Sequence, residues 1–287
     1  MRALAEFVMK GRVQAILVAA LASAVPLLFW LSGAVVGLVS LRKGVQEGFL
    51  ILVFALIAPV FWWDTAQEPT PLIVIGITCL MALVLRETVS WEKAMLAGVA
   101  SAFLVGYLLP VISPDLVRLL VDFGTQVLQQ LNSRDLPELK GDMRKMLSGA
   151  LIGSLCAFYL AISFGSLMLA RSWQSALFNP GGYRQEFYSF RLSRLTCLGL
   201  VALMVLASFI ESMSGIAVTV LIVPFVFAGI ALAHGYVAKK NLGGVWLLCF
   251  YILVLIMGPS LLFLLVFLAI LDSWIDIRGR VGPAQEK

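Results

Sequence analysis

The stretch SGIAVTVLIVPFVFAGIALA, from Ser214 to Ala233, decides the fold. Its 20 residues include no Asp, Glu, Lys, Arg or His. About 20 consecutive apolar residues are what a helix needs to cross the hydrocarbon core of a bilayer. Two further runs, 94–112 and 147–170, are equally free of those five residue types. Other apolar runs cover 13–41, 48–63, 71–85, 192–210 and 243–271. The composition agrees. Of 287 residues, 61% are hydrophobic and 13% charged, where a soluble domain carries about 25% charged residues. The mean hydropathy is +0.99. These observations predict an all-α, polytopic integral membrane bundle forming a single transmembrane domain.

Two runs, 13–41 and 243–271, are too long for one span. Each is interrupted, the first by Pro26 and LSG (31–33), the second by MGPS (257–260). Proline removes a backbone donor and kinks or ends a helix, so each run is either one kinked helix or a pair of short helices forming a hairpin. Charge separates the two. Cytoplasmic loops carry an excess of Lys and Arg. With both runs as hairpins and the N-terminus cytoplasmic, 16 of the 21 Lys and Arg lie inside. The five outside are Arg118, Arg134, Lys140, Arg144 and Lys145. With both as single spans, the division is 11 to 10. The expected architecture is therefore about six full spans plus N- and C-terminal hairpins or kinked helices, with both termini cytoplasmic.

The net charge of +5 then reports loop orientation and contact with anionic lipid heads, not nucleic acid. Arg2, Lys10 and Arg12 precede an apolar run that carries ASA at 22–24, as a cleaved signal would. The run continues through Pro26 to Val39, which predicts a retained segment. Residues 1–10 fit a short amphipathic interfacial helix. The segment 113–146 is the one long extramembrane piece and falls on the periplasmic side. Leu116, Leu119, Leu120, Phe123, Val127, Leu128 and Leu131 recur there at helical spacing, so an amphipathic helix is expected, lying on the bilayer or acting as a lid.

Intramembrane charges mark pathways, and they are scarce here. Asp64, Glu68 and Glu211 lie near run ends, as helix caps, headgroup-level residues or ligands. His234 is the lone histidine, placed where a helix C-terminus favours it. Cys79, Cys156, Cys197 and Cys249 lie in or beside apolar runs without close pairing and read as free thiols. There is no phosphate-binding loop, nucleophile elbow or zinc-helix motif. A non-enzymatic protein with no metal or cofactor is expected.

Two features remain as interaction candidates. Ala15/Ala19 and Ala20/Ala24 are pairs of small residues four apart, which let helix backbones approach closely. They serve internal packing or the docking of a partner membrane subunit. The polar segment FNPGGYRQEFYSFRLSR (178–194) and the segment LDSWIDIRGR (271–280) fall on the same, cytoplasmic, side. Asn179, Pro180, Gly181 and Gly182 make a turn. Arg184, Glu186, Arg191 and Arg194 follow it, and Asp272, Asp276 and Arg278 lie in the second segment. These residues form a candidate contact surface, pairing Arg with Asp or gripping a phosphate. The bland alternative is a positive-inside loop with snorkelling arginines.

With the early LVSLRKG, the motifs NPGGYRQEF and LDSWIDIR make the chain resemble the YybS-like family of bacterial inner-membrane proteins, whose function is unknown. More distantly it is similar to the S components of energy-coupling-factor transporters and to MreD-like cell-shape proteins. The likeness to S components implies a transporter-like subunit that binds a small or lipidic ligand, contacts membrane lipid, and works with a partner membrane protein or as a homo-oligomer. The likeness to MreD-like proteins implies a structural scaffold of a cell-envelope assembly. A third reading, a lipid-handling enzyme, would draw its polar groups from the same arginines and aspartates.

Overall fold

A computed structural model describes residues 2–131 and 141–280, and of residues 131, 141–143 and 211–214 the backbone alone. Arg134 and Lys140, and the side chain of Glu211, lie outside the described residues. The described chain is helical throughout, with fourteen helices and no strand. Five helices are long and apolar enough to cross a membrane, and a sixth span arises if a pair bent by 56° is counted as one. The protein is a multi-pass membrane helical bundle.

The chain divides into two compact units. The first runs to Pro180 and takes in Met204–Val220; the second comprises Gly181–Leu203 and the chain from Leu221 onward.

The first unit is built around a short buried helix. The run 13–41 breaks into α2 (Arg12–Ala24) and α3 (Phe29–Lys43), with Pro26 and Leu27 in the turn between. Leu27 takes a φ of 71° and is 80% exposed, an apolar side chain at the tip of the helix pair. Every residue from Ser32 to Leu41 of α3 is buried. A helix covered on all sides needs partners on all sides, and α3 packs on α2, α4 (Val45–Ala66), α5 (Thr70–Thr88) and α8 (Gly141–Phe178). Small residues permit this. A Cβ on Gly33 would lie 3.2 Å from Thr78 Oγ1, and one on Gly37 would lie 3.1 Å from the Ala170 Cβ. Two buried hydroxyls beside α3 satisfy themselves on one backbone carbonyl: Thr78 Oγ1 donates to Val74 O at 2.7 Å and Ser163 Oγ donates to the same carbonyl at 3.2 Å.

The basic end of α3 is closed by its neighbours. The last carbonyls of a helix lack partners inside it. Here Leu41 O accepts from Arg86 Nη1 of α5 at 3.0 Å and from Gln174 Nε2 of α8 at 3.4 Å. Gly44, at φ 94°, stops the helix and its N–H returns to Ser40 O. Arg12 and Glu47 add a two-pronged pair between α2 and α4. At the other end, Trp63 Nε1 donates to Ser113 Oγ at 3.1 Å, tying α4 to the junction of α6 (Trp91–Ile112) and α7 (Pro114–Leu131).

Both amphipathic helices form. α1 (Arg2–Lys10) buries Ala5 and Val8 and packs on α2 and α8. α7 packs on α8 and buries Val121, while Leu119 and Phe123 on its expected stripe stay 70% and 67% exposed.

α8 also meets α11 (Glu211–Lys239) through glycine. A Cβ on Gly153 would fall 2.6 Å from Gly215 O and from the Ile216 Cα, and one on Gly215 would fall 2.5 Å from the backbone of Gly149 and Ala150. Gly149 and Gly153 are four apart, so their missing side chains open one groove along α8, and Gly215 lies against it. This is close-approach membrane packing.

The second unit contains α9 (Gly182–Ser189), most of α10 (Arg194–Ser208), the later part of α11, and α12 (Gly244–Met257), α13 (Pro259–Ile275) and α14 (Ile277–Arg280). Gly258 breaks the run 243–271 at φ 50° and ψ −124°, a conformation closed to other residues. Both long runs are thus helix pairs. Helix α13 buries Leu261, Leu265 and Ala269, while α12 buries nothing. α11 and α13 approach closest where a Cβ on Gly229 would lie 2.7 Å from Leu265 O.

Candidate functional site

The two polar segments singled out in the sequence meet within the second unit, and Arg278 is their hub. Its Nη1 donates to Tyr188 O at 2.6 Å, and its Nη2 to Phe190 O at 2.8 Å and to Asp272 Oδ2 at 2.7 Å. Asp272 is 2% exposed, and its other oxygen accepts from the Ile277 N–H at 2.9 Å. The planar guanidinium fork suits this task, with several donors fixed in one plane. Gly235 makes room for it: a Cβ there would lie 2.8 Å from Tyr188 O and 3.1 Å from Arg278 Cδ. Arg278 and Asp272 therefore hold the end of α13 to the end of α9. Arg194 makes a lighter link, donating to Trp274 O at 3.2 Å.

The second ion pair differs. Arg191 Nη1 and Asp276 Oδ1 are 2.8 Å apart, but the side chains are 39% and 54% exposed. Asp276 also accepts from the Gly279 N–H at 3.1 Å. That amide and then Arg191 hold its carboxyl below the ordinary range, with desolvation opposing them. A lowered carboxyl contributes stability above its unfolded-state value and loses it as pH falls through the folded one. Exposure keeps that contribution small.

Around these residues is an open cleft of about 660 Å³, whose wall includes Gln185, Ser189, Arg191, Lys239 and Asp276. Lys239 was not among the sequence candidates. Its Nζ donates to Arg278 O at 2.6 Å. Arg184 stands 5.8 Å from the Tyr188 ring centroid. Glu186 belongs to α9, its carbonyl accepting from Ser189 Oγ. Gly181 opens α9 at φ 90°. Asn179 and Pro180 fall in the first unit, where Asn179 O accepts from Ser175 Oγ at 2.6 Å.

Beside the cleft, α11, α12 and α13 leave a groove of about 650 Å³. Leu232, Ala233, Leu247, Phe250, Leu264 and Leu268 are among its walls, and Tyr236 and Trp246 supply its only polar side-chain atoms. Cleft and groove share the last turns of α11 and the α13–α14 corner: Ala238 and Lys239 face the cleft, Tyr236 and Val237 the groove.

His234 sits in an aromatic cluster. Its Nε2 and the Tyr251 hydroxyl share a 2.7 Å hydrogen bond, and Phe187 meets its ring edge-on at 5.5 Å. The cysteines are free thiols; Cys79, Cys156 and Cys197 are buried and Cys249 is exposed. Among the described residues no group of three His, Cys, Asp or Glu side chains is placed to hold a metal.

Of the small-residue pairs, Ala15 and Ala19 are buried, on a helix that packs on α3 and α4. Ala20 is half-buried and Ala24 exposed. Comparison with protein-family models, with curated proteins and with solved structures returned no match.

Proposed function

We propose that the protein is a non-enzymatic, transporter-like subunit of a bacterial inner membrane, holding a lipidic ligand in its second unit and working with a partner. Both ends of the chain face the cytoplasm in this reading. The observation that carries it is the groove between α11, α12 and α13, about 650 Å³ in volume and almost wholly apolar. A site for a polar solute needs several converging polar groups; this groove suits a hydrocarbon chain. The motif resemblance to YybS-like proteins, and through them to S components, supports the same class.

Filling the groove tests it. Ala233→Phe adds a ring inside the cavity and leaves the ion pairs untouched. Wild-type protein purified in mild detergent is expected to retain lipid near one molecule per chain by mass spectrometry, and the variant several-fold less. Equal retention by both proteins would overturn the reading. Orientation has its own test: a cytoplasm-only reporter fused after residue 287 is expected to be active.

One observation favours a second reading. Helix α12 carries no charged residue and has no buried residue, with Leu255 and Ile256 85% and 74% exposed. That is the surface another membrane helix would cover if the protein scaffolds a cell-envelope assembly. Photocrosslinking from position 255 would then capture a discrete partner band; capture of lipid alone counts against it.

A further inference from the structure

We propose that the ligand is an anionic phospholipid, its acyl chain in the groove and its phosphate at Arg191 and Lys239 in the adjoining cleft. The inference rests on the lipid reading of the groove and adds the headgroup.

Three observations carry it. The first is charge. Arg278 is neutralised by the buried Asp272, and Arg191 is paired with Asp276. Among the described residues Lys239 donates only to a neutral carbonyl, so its charge is uncancelled there and two N–H groups remain. The described residues lining the cleft therefore keep one net positive charge, matching one phosphodiester.

The second is exchangeability. The exposed Arg191–Asp276 pair is weak, and Asp276 keeps the Gly279 N–H as a partner if Arg191 turns away. Arg191 is thus free to swing to a phosphate oxygen without leaving a carboxylate bare. Arg278 is not, because releasing it would leave the buried charge of Asp272 uncompensated and remove a donor from two carbonyls.

The third is depth. Tyr236, Trp246 and Trp274 are exposed near this end of the unit, and Trp and Tyr collect at headgroup level. Along α11, Lys239 lies about 10 Å beyond Leu232 of the groove, a separation that suits a phosphate above its own hydrocarbon chain.

The test uses the full chain in mixed micelles containing phosphatidylglycerol and phosphatidylcholine of identical chains, with bound lipid read by native mass spectrometry. Wild type is expected to retain phosphatidylglycerol preferentially. Arg191→Gln and Lys239→Gln should each cut that preference about fivefold, the factor for one interfacial cation. Asp276→Asn should raise it, because Arg191 is released; a purely structural ion pair predicts no gain. Equal retention of the two lipids, or an unchanged preference in the Arg191→Gln, Lys239→Gln double variant, would overturn the headgroup assignment. So would displacement of the lipid by millimolar inorganic phosphate, which would mark a free-anion site. Ala233→Phe separates the two levels. Loss of both lipids in that variant upholds the groove whatever the headgroup result, whereas unchanged binding of both overturns the groove and this inference with it.

Discussion

Asp272→Ala is expected to destabilise the protein by roughly 3–5 kcal/mol, the cost of leaving one member of a buried ion pair uncompensated. The side chains of Arg278 and Asp272 are 11% and 2% exposed. Alanine also deprives the Ile277 N–H of its acceptor. The freed guanidinium keeps the Tyr188 and Phe190 carbonyls, but neither offsets its charge. Asp272→Asn separates the terms: its amide oxygen still accepts from Ile277 while the charge is gone, so it should fall between wild type and alanine. Arg278→Lys should approach the alanine result, because one ammonium cannot reproduce the in-plane fork. Thermal unfolding in detergent, followed by tryptophan fluorescence, reads all three. A midpoint for Asp272→Ala within a degree or two of wild type would show that the pair is not what holds α13 to α9.

Gly153→Val is the second large effect. The new Cβ would fall 2.6 Å from Gly215 O and the Ile216 Cα. These are backbone atoms inside a helix, so no side chain can yield and the helices must separate. Overpacking typically costs about 1–3 kcal/mol and occasionally more, and a rigid backbone contact belongs at the upper end. Gly165→Val is the control. It lies on the same helix, where a Cβ meets nothing within 4 Å, so its expected loss is small. Similar unfolding midpoints for the two variants would refute close approach at Gly153.

The spans were legible in the sequence because bilayer thickness imposes a length that apolar runs report directly. The breaks at Pro26 and at Gly258–Pro259 were legible for the same kind of reason, since proline and glycine act locally. Grouping residues 178–194 with 271–280 was also within reach, because charge counting assigned both to one side, and Arg191 does stand beside Asp276. The central role of Arg278 was not readable. Its partners at Tyr188 and Phe190 are backbone carbonyls, which every residue carries, so no side-chain pattern announces them. Nothing in the sequence around Lys239 distinguishes it from the other cations near run ends. The alanine pairs pointed to internal packing or to docking; Ala15 and Ala19 are buried, and GALIG at 149–153, the same spacing in glycine, marks a tighter crossing. A groove left where three helices fail to close has no residue signature at all.

The reach of Arg278 bears on biogenesis. Its carbonyl partners lie 90 and 88 residues earlier in the chain, and the intervening segment includes α10, α11, α12 and α13. A ribosome delivers Tyr188 and Phe190 to the membrane well before Arg278 exists. Until then α9 has no clamp, and those carbonyls must be carried by water or lipid headgroups. The second unit therefore closes late, through contacts of long sequence separation, which form slowly because loop closure comes first. During that interval the half-built unit is the form that an insertion chaperone or a membrane protease would meet.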